Sequence, residues 1–532
     1  MSGTALPRFR RPRIPWGGVA ATGVVGFYVA VFAWSMENRA YDMWGALIVF
    51  PLLLTLSIPI LERLTRDDEP WFQKIVVWAL VAKLVACFAR YWMSFHLYGG
   101  NADAAMYDLE GRHLAVFFRD GDFTVDIGRK VIGTGFIMIL TGIVYAFVGQ
   151  SILSGYLVYS WLGFWGLYLC WRAFTIAYPD GDRKRYSKLV FFLPSLLFWP
   201  SGIGKDTWML FTLGMCAYGC ALLLVRRRGA YLFLLLGMLG TTMVRPHVTV
   251  LVMCGLIVGY LLRSRPQQVS ALGPIRAGIG AVVLGAGAVI ALKQVGKFFG
   301  TADLSAGSAT EVVNRTQTLT SQGGSAQTTV EQSSVISPSH LPQSLMTVLF
   351  RPFPFEVHNM QALLASLEGV LLLALFITSL ARLRRLPALL IRRPYLAFAL
   401  VYVLVFAMAF ANIKNFGILT RERVQVFPFV LILLAIPKPE APDGQGVRRR
   451  RRSPVKARAA AVGAVAAAAA GTGAAGAAGT AGTASGVANG AAYSGSSTGA
   501  GASGMPDPGV SGTSDQAGTG ISAAGRGDPQ WR

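Results

Sequence analysis

Long apolar runs alternate with short polar breaks over most of the chain. Runs near the ~20 residues that an α-helix needs to cross a bilayer recur as far as about residue 436. The pattern predicts spans at 18–35, 43–61, 74–95, 152–172, 187–201, 206–225, 229–245, 247–262, 276–293, 359–381, 393–411 and 424–436. The reading is an all-α polytopic membrane protein with about twelve transmembrane helices and amphipathic helices on its outer surface. One further apolar run, 130–148, decides the threading. If it crosses, the basic loop DGDRKRYSK (Asp180–Lys188) falls outside and every later basic loop follows. If it lies at the outer surface, RFRRPR, LERLTRDDEPWFQK, DGDRKRYSK, the RRR at 226–228, RSR, RLRRLPALLIRR and the C-terminal RRRRR are all cytoplasmic. Lys and Arg collect in cytoplasmic loops, so the second threading is expected, with both termini inside a plasma membrane.

Three flanking segments are not spans. Residues 1–17 read as a basic cytoplasmic N-terminus. Residues 294–343 read as a long polar outer loop within the transmembrane domain, 18–436. In that loop Asn314, Arg315 and Thr316 fit a glycosylation pattern that a Thr-rich stretch also produces by chance. Residues 437–532 are Ala/Gly/Ser-rich and cannot bury enough apolar surface to offset their ordering entropy, so a disordered cytoplasmic tail is expected.

Composition supports this and removes one class of function. The 532 residues are 53% hydrophobic and 14% charged, with mean hydropathy +0.49. The net charge of +23 is accounted for by cytoplasmic loops, so no nucleic-acid partner is inferred. The five cysteines all lie in apolar runs, which gives neither a disulfide framework nor a metal knuckle. No metal or other cofactor is called for; a divalent cation would lack a ligand cluster.

The outer face should then be poor in positive charge, and it is not. PSGIGKDTW carries Lys205 beside Asp206; a short turn carries Arg245, Pro246 and His247; FRPFPFEVHN carries Arg351, Glu356 and His358; and NIKNFGILTRER carries Lys414, Arg421 and Arg423. PSGIGKDTW is not a nucleotide loop, because Trp199 stands where the first glycine belongs and Asp206 where the hydroxyl belongs. Converging basic turns would bind an anion near the outer leaflet, where the available phosphates belong to lipids. The plainer alternative is that Lys205 and Asp206 simply pair. Residues 96–150 form the other outer feature. There Asp103 begins an amphipathic surface helix, either as its cap or as a general base toward an acceptor hydroxyl. Lys83 and Arg90 share one face of the third span; a structural role in the bundle interior is weighed there against a substrate role.

The order of these pieces resembles polytopic glycosyltransferases of the GT-C type and the related bacterial exopolysaccharide polymerases. The resemblance runs over roughly 74–262. It rests on an outer loop with an acid and a tyrosine (NADAAMYDLEGRHLAVFFRDGDF), a surface helix ending in a short turn (GFIMILTGIVYAFVGQS), a returning span (SGYLVYSWLGFWGLYLCWRAF) and a proline-containing hairpin (FFLPSLLFWPSGIGKDTW). It implies transfer of a sugar or oligosaccharide from a polyprenyl (pyro)phosphate to a glycan acceptor at the outer face of a bacterial plasma membrane. Asp103 matches the family's first-loop acid. Lys205, Arg245, His247, Arg351 and Arg421 match no family motif; they are chosen from the residues as phosphate ligands, with Asp206, Glu356, His358 and Arg423 behind them. The chain lacks a second acid directly beside Asp103 and a large folded domain after the spans, which favours the polymerase-like branch. A flippase for lipid-linked glycans, or a scaffold acting through the tail, are the alternatives.

Overall fold

A computed structural model describes residues 16–263, 285 and 338–438, apart from 101, 125, 358 and 414. The N-terminal 1–15, the expected span 276–293 save residue 285, the polar loop up to 337 and the tail beyond 438 lie outside the described residues.

The described chain is helical: α1 Trp16–Glu37, α2 Tyr41–Leu64, α3 Pro70–Trp92, α4 Asp103–Arg119, α5 Phe136–Val148, α6 Ile152–Ala177, α7 Arg183–Phe192, α8 Pro194–Phe198, α9 Lys205–Leu224, α10 Ala230–Val244, α11 Pro246–Leu261, α12 Leu341–Phe350, α13 Met360–Leu383, α14 Leu386–Arg392, α15 Pro394–Phe410, α16 Phe416–Glu422 and α17 Phe427–Leu434. Local chemistry explains many of the starts. Pro70, Pro194, Pro246 and Pro394 occupy first-turn positions, where a missing N–H costs nothing. Ser151, Asp182, Asn359 and Asn415 cap α6, α7, α13 and α16 by accepting from free backbone N–H groups.

Six helices among the described residues are long and apolar enough to cross a membrane, or up to seven if α14 and α15, bent by 118°, form one span. About twelve spans were expected, and one of them, 276–293, lies outside the described residues apart from residue 285. The expected span 187–201 is two pieces, because Pro194 holds Leu193 extended (φ −63°, ψ 126°) and stops α7. The expected span 424–436 holds only the eight-residue α17 after a 3₁₀ turn, Arg423–Gln425. The C-terminal edge of the expected polar loop is already helical, as the start of α12.

The run 130–148 leaves and returns at the same end of the bundle. Asp42, at the start of α2, accepts from the Ile152 N–H at 3.0 Å and pairs with Arg112 of α4 at 3.4 Å. Arg112 also donates to Gln150 O at 2.7 Å. Val131–Val148 passes the test of length and apolarity for a span, but its backbone breaks at Gly133 (φ 96°) and only the 13 residues of α5 are regular helix. At 1.5 Å per residue α5 is about 20 Å long, short of a ~30 Å hydrocarbon core.

The connections separate into two ends. At one, Asp68 pairs with Arg172, Asp180 with Arg393, and Asp182 with Arg382. The chain's exit at 435–438 is held there through Asp182 N–H to Ala435 O and Arg382 to Ile436 O. Arg226 and Arg263 lie at the ends of α9 and α11 that are remote from Asp206 and Arg245. The basic connections therefore sit opposite the turns that carry the candidate site. Between the ends, α6 and α9 cross almost backbone to backbone. A Cβ on Gly166 would stand 2.6 Å from Leu210 O, and one on Gly214 would press into Gly166. Aromatic packing fills the rest, led by the Phe72–Trp171 stack with ring centroids 3.5 Å apart.

Candidate functional site

A cavity of about 410 Å³ opens at the end opposite the basic connections. Five distant stretches of chain meet around it, one of them α6 with Tyr156. The end of α3 supplies Arg90 and, after one π-helical turn, Tyr98. Gly99 and Gly100, both at positive φ, then turn the chain so that Asp103 opens α4 on the cavity wall. The stretch between α8 and α9 supplies Trp199, Gly202 and Asp206. Glycine is required at 202, because a Cβ there would meet the Tyr156 ring at 2.7 Å. Gln361 opens α13, and Asn415 and Arg421 belong to α16 and its cap.

Asp103 is not the cap of α4. The cap position is Ala102, and no side chain bonds to the free N–H groups. The Asp103 carboxylate turns instead to Arg421, 3.3 Å away, and stays 54% exposed at the cavity. Its position in the first turn still suits the positive end of the helix. Arg421 is shared, with its Nε 2.8 Å from Asp206. The Asp206 carboxylate, followed by those of Glu422 and Asp103, outweighs burial and holds the Arg421 guanidinium above its ordinary range.

The structure brings Lys205, Asp206, Arg245 and Arg421 into one neighbourhood, but their roles differ from the expectation. Asp206 does not pair with Lys205; it lies between Arg421 and Arg245. Arg245 is buried, with Glu422 at 2.5 Å and Asp206 at 3.4 Å. Burial, the largest influence, pushes the Glu422 carboxyl up from its ordinary range. Lys205 has Arg245, Asp103, Arg421 and Glu422 as electrostatic neighbours, yet it is not part of the cavity wall. His247 packs its ring 5.8 Å from Phe410, away from the cavity lining. Arg351 is held by Glu356 and lies over the Phe416 ring at 5.2 Å. Glu356 accepts a further bond from Phe353 N–H at 2.9 Å. Arg423 is wholly buried on Glu368, 3.3 Å away, and donates to Arg351 O at 3.0 Å. Of the five expected phosphate ligands only Arg421 lines the cavity; Arg245 and Arg351, with Arg423 behind them, are matched by carboxylates inside the protein. His358 and Lys414 lie outside the described residues.

Other participants were hidden in the sequence. Glu422 sits between two arginines in TRER, and only the pairing with Arg245 gives it a role. Tyr98 and Gln361 are hydrogen-bonded to each other on the wall, although 263 positions apart. The one available signal was the shared face of Lys83 and Arg90. Both meet the α8 segment: Lys83 donates to Leu196 O at 2.6 Å and Leu197 O at 3.1 Å, while Arg90 lies over the rings of Phe198 and Trp199. Among the described residues no group of three His, Cys, Asp or Glu side chains could hold a metal ion.

Chemically the site offers one open carboxylate, a neighbouring guanidinium that is already compensated, and a second guanidinium, Arg90, that makes no ion pair among the described residues. No protein-family model matches the chain, and neither a curated protein nor a solved structure matches it.

Proposed function

We propose that the protein is an integral-membrane glycosyltransferase or polysaccharide polymerase of the GT-C type. It moves a sugar or oligosaccharide from a polyprenyl (pyro)phosphate carrier to a glycan acceptor at the outer face of a bacterial plasma membrane. The observation that carries the reading is the exposed Asp103 carboxylate, beside Arg421, in a cavity at the end opposite the basic connections. Under the positive-inside rule the basic end is cytoplasmic and the cavity faces out. Both termini are then cytoplasmic, and α4 and α5 lie along the outer surface.

In this mechanism the acceptor hydroxyl gives its proton to Asp103. The freed oxygen lone pair attacks the anomeric carbon, and the bond from that carbon to the phosphate oxygen breaks. The departing phosphate carries away the electron pair, and the guanidinium groups in the cavity stabilise its charge. Lys83, an ionisable residue inside a span of the kind a transporter would set on its substrate path, bonds backbone carbonyls of a broken helix rather than lining the cavity. The enzyme reading is therefore preferred.

The test is complementation of a deletion strain, with lipid-linked glycan and finished polymer both measured. Asp103→Asn should lower product formation by about 10²–10⁴-fold, the usual contribution of a general base, and cause the lipid-linked precursor to accumulate. The Asp103–Arg421 pair is partly exposed and worth at most ~1 kcal/mol to folding, so the variant should still be produced and inserted. Normal polymer from Asp103→Asn would remove the reading.

A further inference from the structure

We infer that Arg90, rather than any of the basic outer turns, is the seat of a phosphate group in the cavity. The argument begins with compensation. Arg245, Arg351, Arg421 and Arg423 each face a carboxylate within the protein, and Lys205, which makes no ion pair among the described residues, is not part of the cavity wall. Arg90 lines the cavity and makes no ion pair among the described residues. Its one hydrogen bond to a side chain is a long one, Nη1 to Ser94 Oγ at 3.3 Å. It belongs to a helix long and apolar enough to cross a membrane, where an ionisable group is costly and marks a functional position; Asp206, on the same cavity wall, acts on it only from beyond ion-pair distance and is itself paired with Arg421.

Geometry agrees with this. The guanidinium carbon lies 5.0 Å from the centroid of Trp199 and 5.6 Å from that of Phe198. Stacked rings fix the orientation of a guanidinium, yet they do not satisfy the N–H groups at its edge. Those donors are left for an oxyanion, and a guanidinium edge matches phosphate oxygens in a paired arrangement. Gly202 allows this approach, since a Cβ there would stand 3.3 Å from Arg90 Cγ. Arg421 has a different task. Asp103 and Asp206 already neutralise it, so it positions Asp103 more than it binds an incoming anion.

The inference deepens the reading above and depends on it only for the lipid half of the ligand. The chemistry recognised at Arg90 is a phosphate ester or phosphate ion. The probes are farnesyl phosphate, farnesol and inorganic phosphate, added to the full-length protein in nanodiscs and followed by calorimetry. Wild type should bind farnesyl phosphate. Arg90→Gln should weaken that binding by roughly tenfold or more, the scale of a lost charge-assisted hydrogen bond. Arg90→Lys should recover part of the loss, and farnesol should bind the two proteins alike. Comparable binding of inorganic phosphate by wild type, also lost in Arg90→Gln, would support the seat and assign it to free phosphate. A second measurement needs no variant: farnesyl phosphate should slow dicarbonyl modification of Arg90 in wild type, read by peptide mass spectrometry. Equal phosphate binding by wild type and Arg90→Gln, or Arg90 modification unaffected by farnesyl phosphate, overturns the inference. If Asp103→Asn keeps normal polymer while Arg90→Gln loses phosphate binding, the transferase reading fails and the seat stands.

Discussion

Glu368 and Arg423 give the sharpest test of how this fold is held. Glu368 is 5% exposed and Arg423 fully buried. The carboxylate accepts from Ser195 N–H at 2.7 Å, from Ser195 Oγ and from Arg423 at 3.3 Å. One side chain of α13 thus ties down the start of α8 and the 3₁₀ turn that follows α16. Replacing Glu368 with Leu removes all three bonds. Arg423 is left with only the neutral carbonyls of Arg351, at 3.0 Å, and Ala365, at 3.3 Å. A buried charge stripped of its partner costs about 3–5 kcal/mol. That is a large share of the ~5–15 kcal/mol that holds a typical domain together. Replacing Arg423 with Met as well removes the orphaned charge, and such apolar exchanges are often neutral or stabilising by ~1–4 kcal/mol. The double variant should therefore be more stable than Glu368→Leu alone. Denaturant unfolding in detergent micelles, followed by tryptophan fluorescence, measures all four corners of the cycle. A cost below about 1 kcal/mol for Glu368→Leu, or a double variant whose loss equals the sum of the single losses, would refute the compensation argument.

Two further outcomes follow from the same structure. Gly166→Ala should destabilise by about 1–2 kcal/mol in thermal unfolding: overpacking costs ~1–3 kcal/mol, offset by up to ~1 kcal/mol of helix propensity. The new Cβ meets Leu210 and Phe211 backbone atoms at 2.6–2.8 Å, which cannot give way as a side chain could; unchanged stability would mean that α6 and α9 are not packed so closely. At Glu356 burial works against the charge, but Arg351 and the Phe353 N–H outweigh it and hold the carboxyl below its usual 4.5. A depressed carboxyl contributes stability that is present above pH 4.5 and lost as pH falls through the folded value. Glu356→Gln should flatten that acid limb, and an identical limb in the variant would remove Glu356 as its source.

Some parts of the site were legible because their signals are local. Apolar runs, first-turn prolines and Asx caps act within a few residues, so helix identity could be read directly. The separation of basic loops from site turns was legible too, because it follows from charge and order along the chain alone. The break at Leu193 before Pro194 is local as well, but an apolar run conceals it, and the expected span 187–201 became two shorter pieces.

By itself the sequence determined that this is a chain of apolar helices, with Asp103 and the basic turns on connections away from the arginine-rich loops. Only the tertiary structure decided which charges are available. Arg245 meets Glu422 across 177 positions, and Asp103 meets Arg421 across 318. Whether a cation is matched or open depends on which carboxylate packing delivers to it, and no local pattern encodes that distance. For the same reason Arg90, an ordinary residue inside a span, lines the cavity with no carboxylate in ion-pair contact among the described residues.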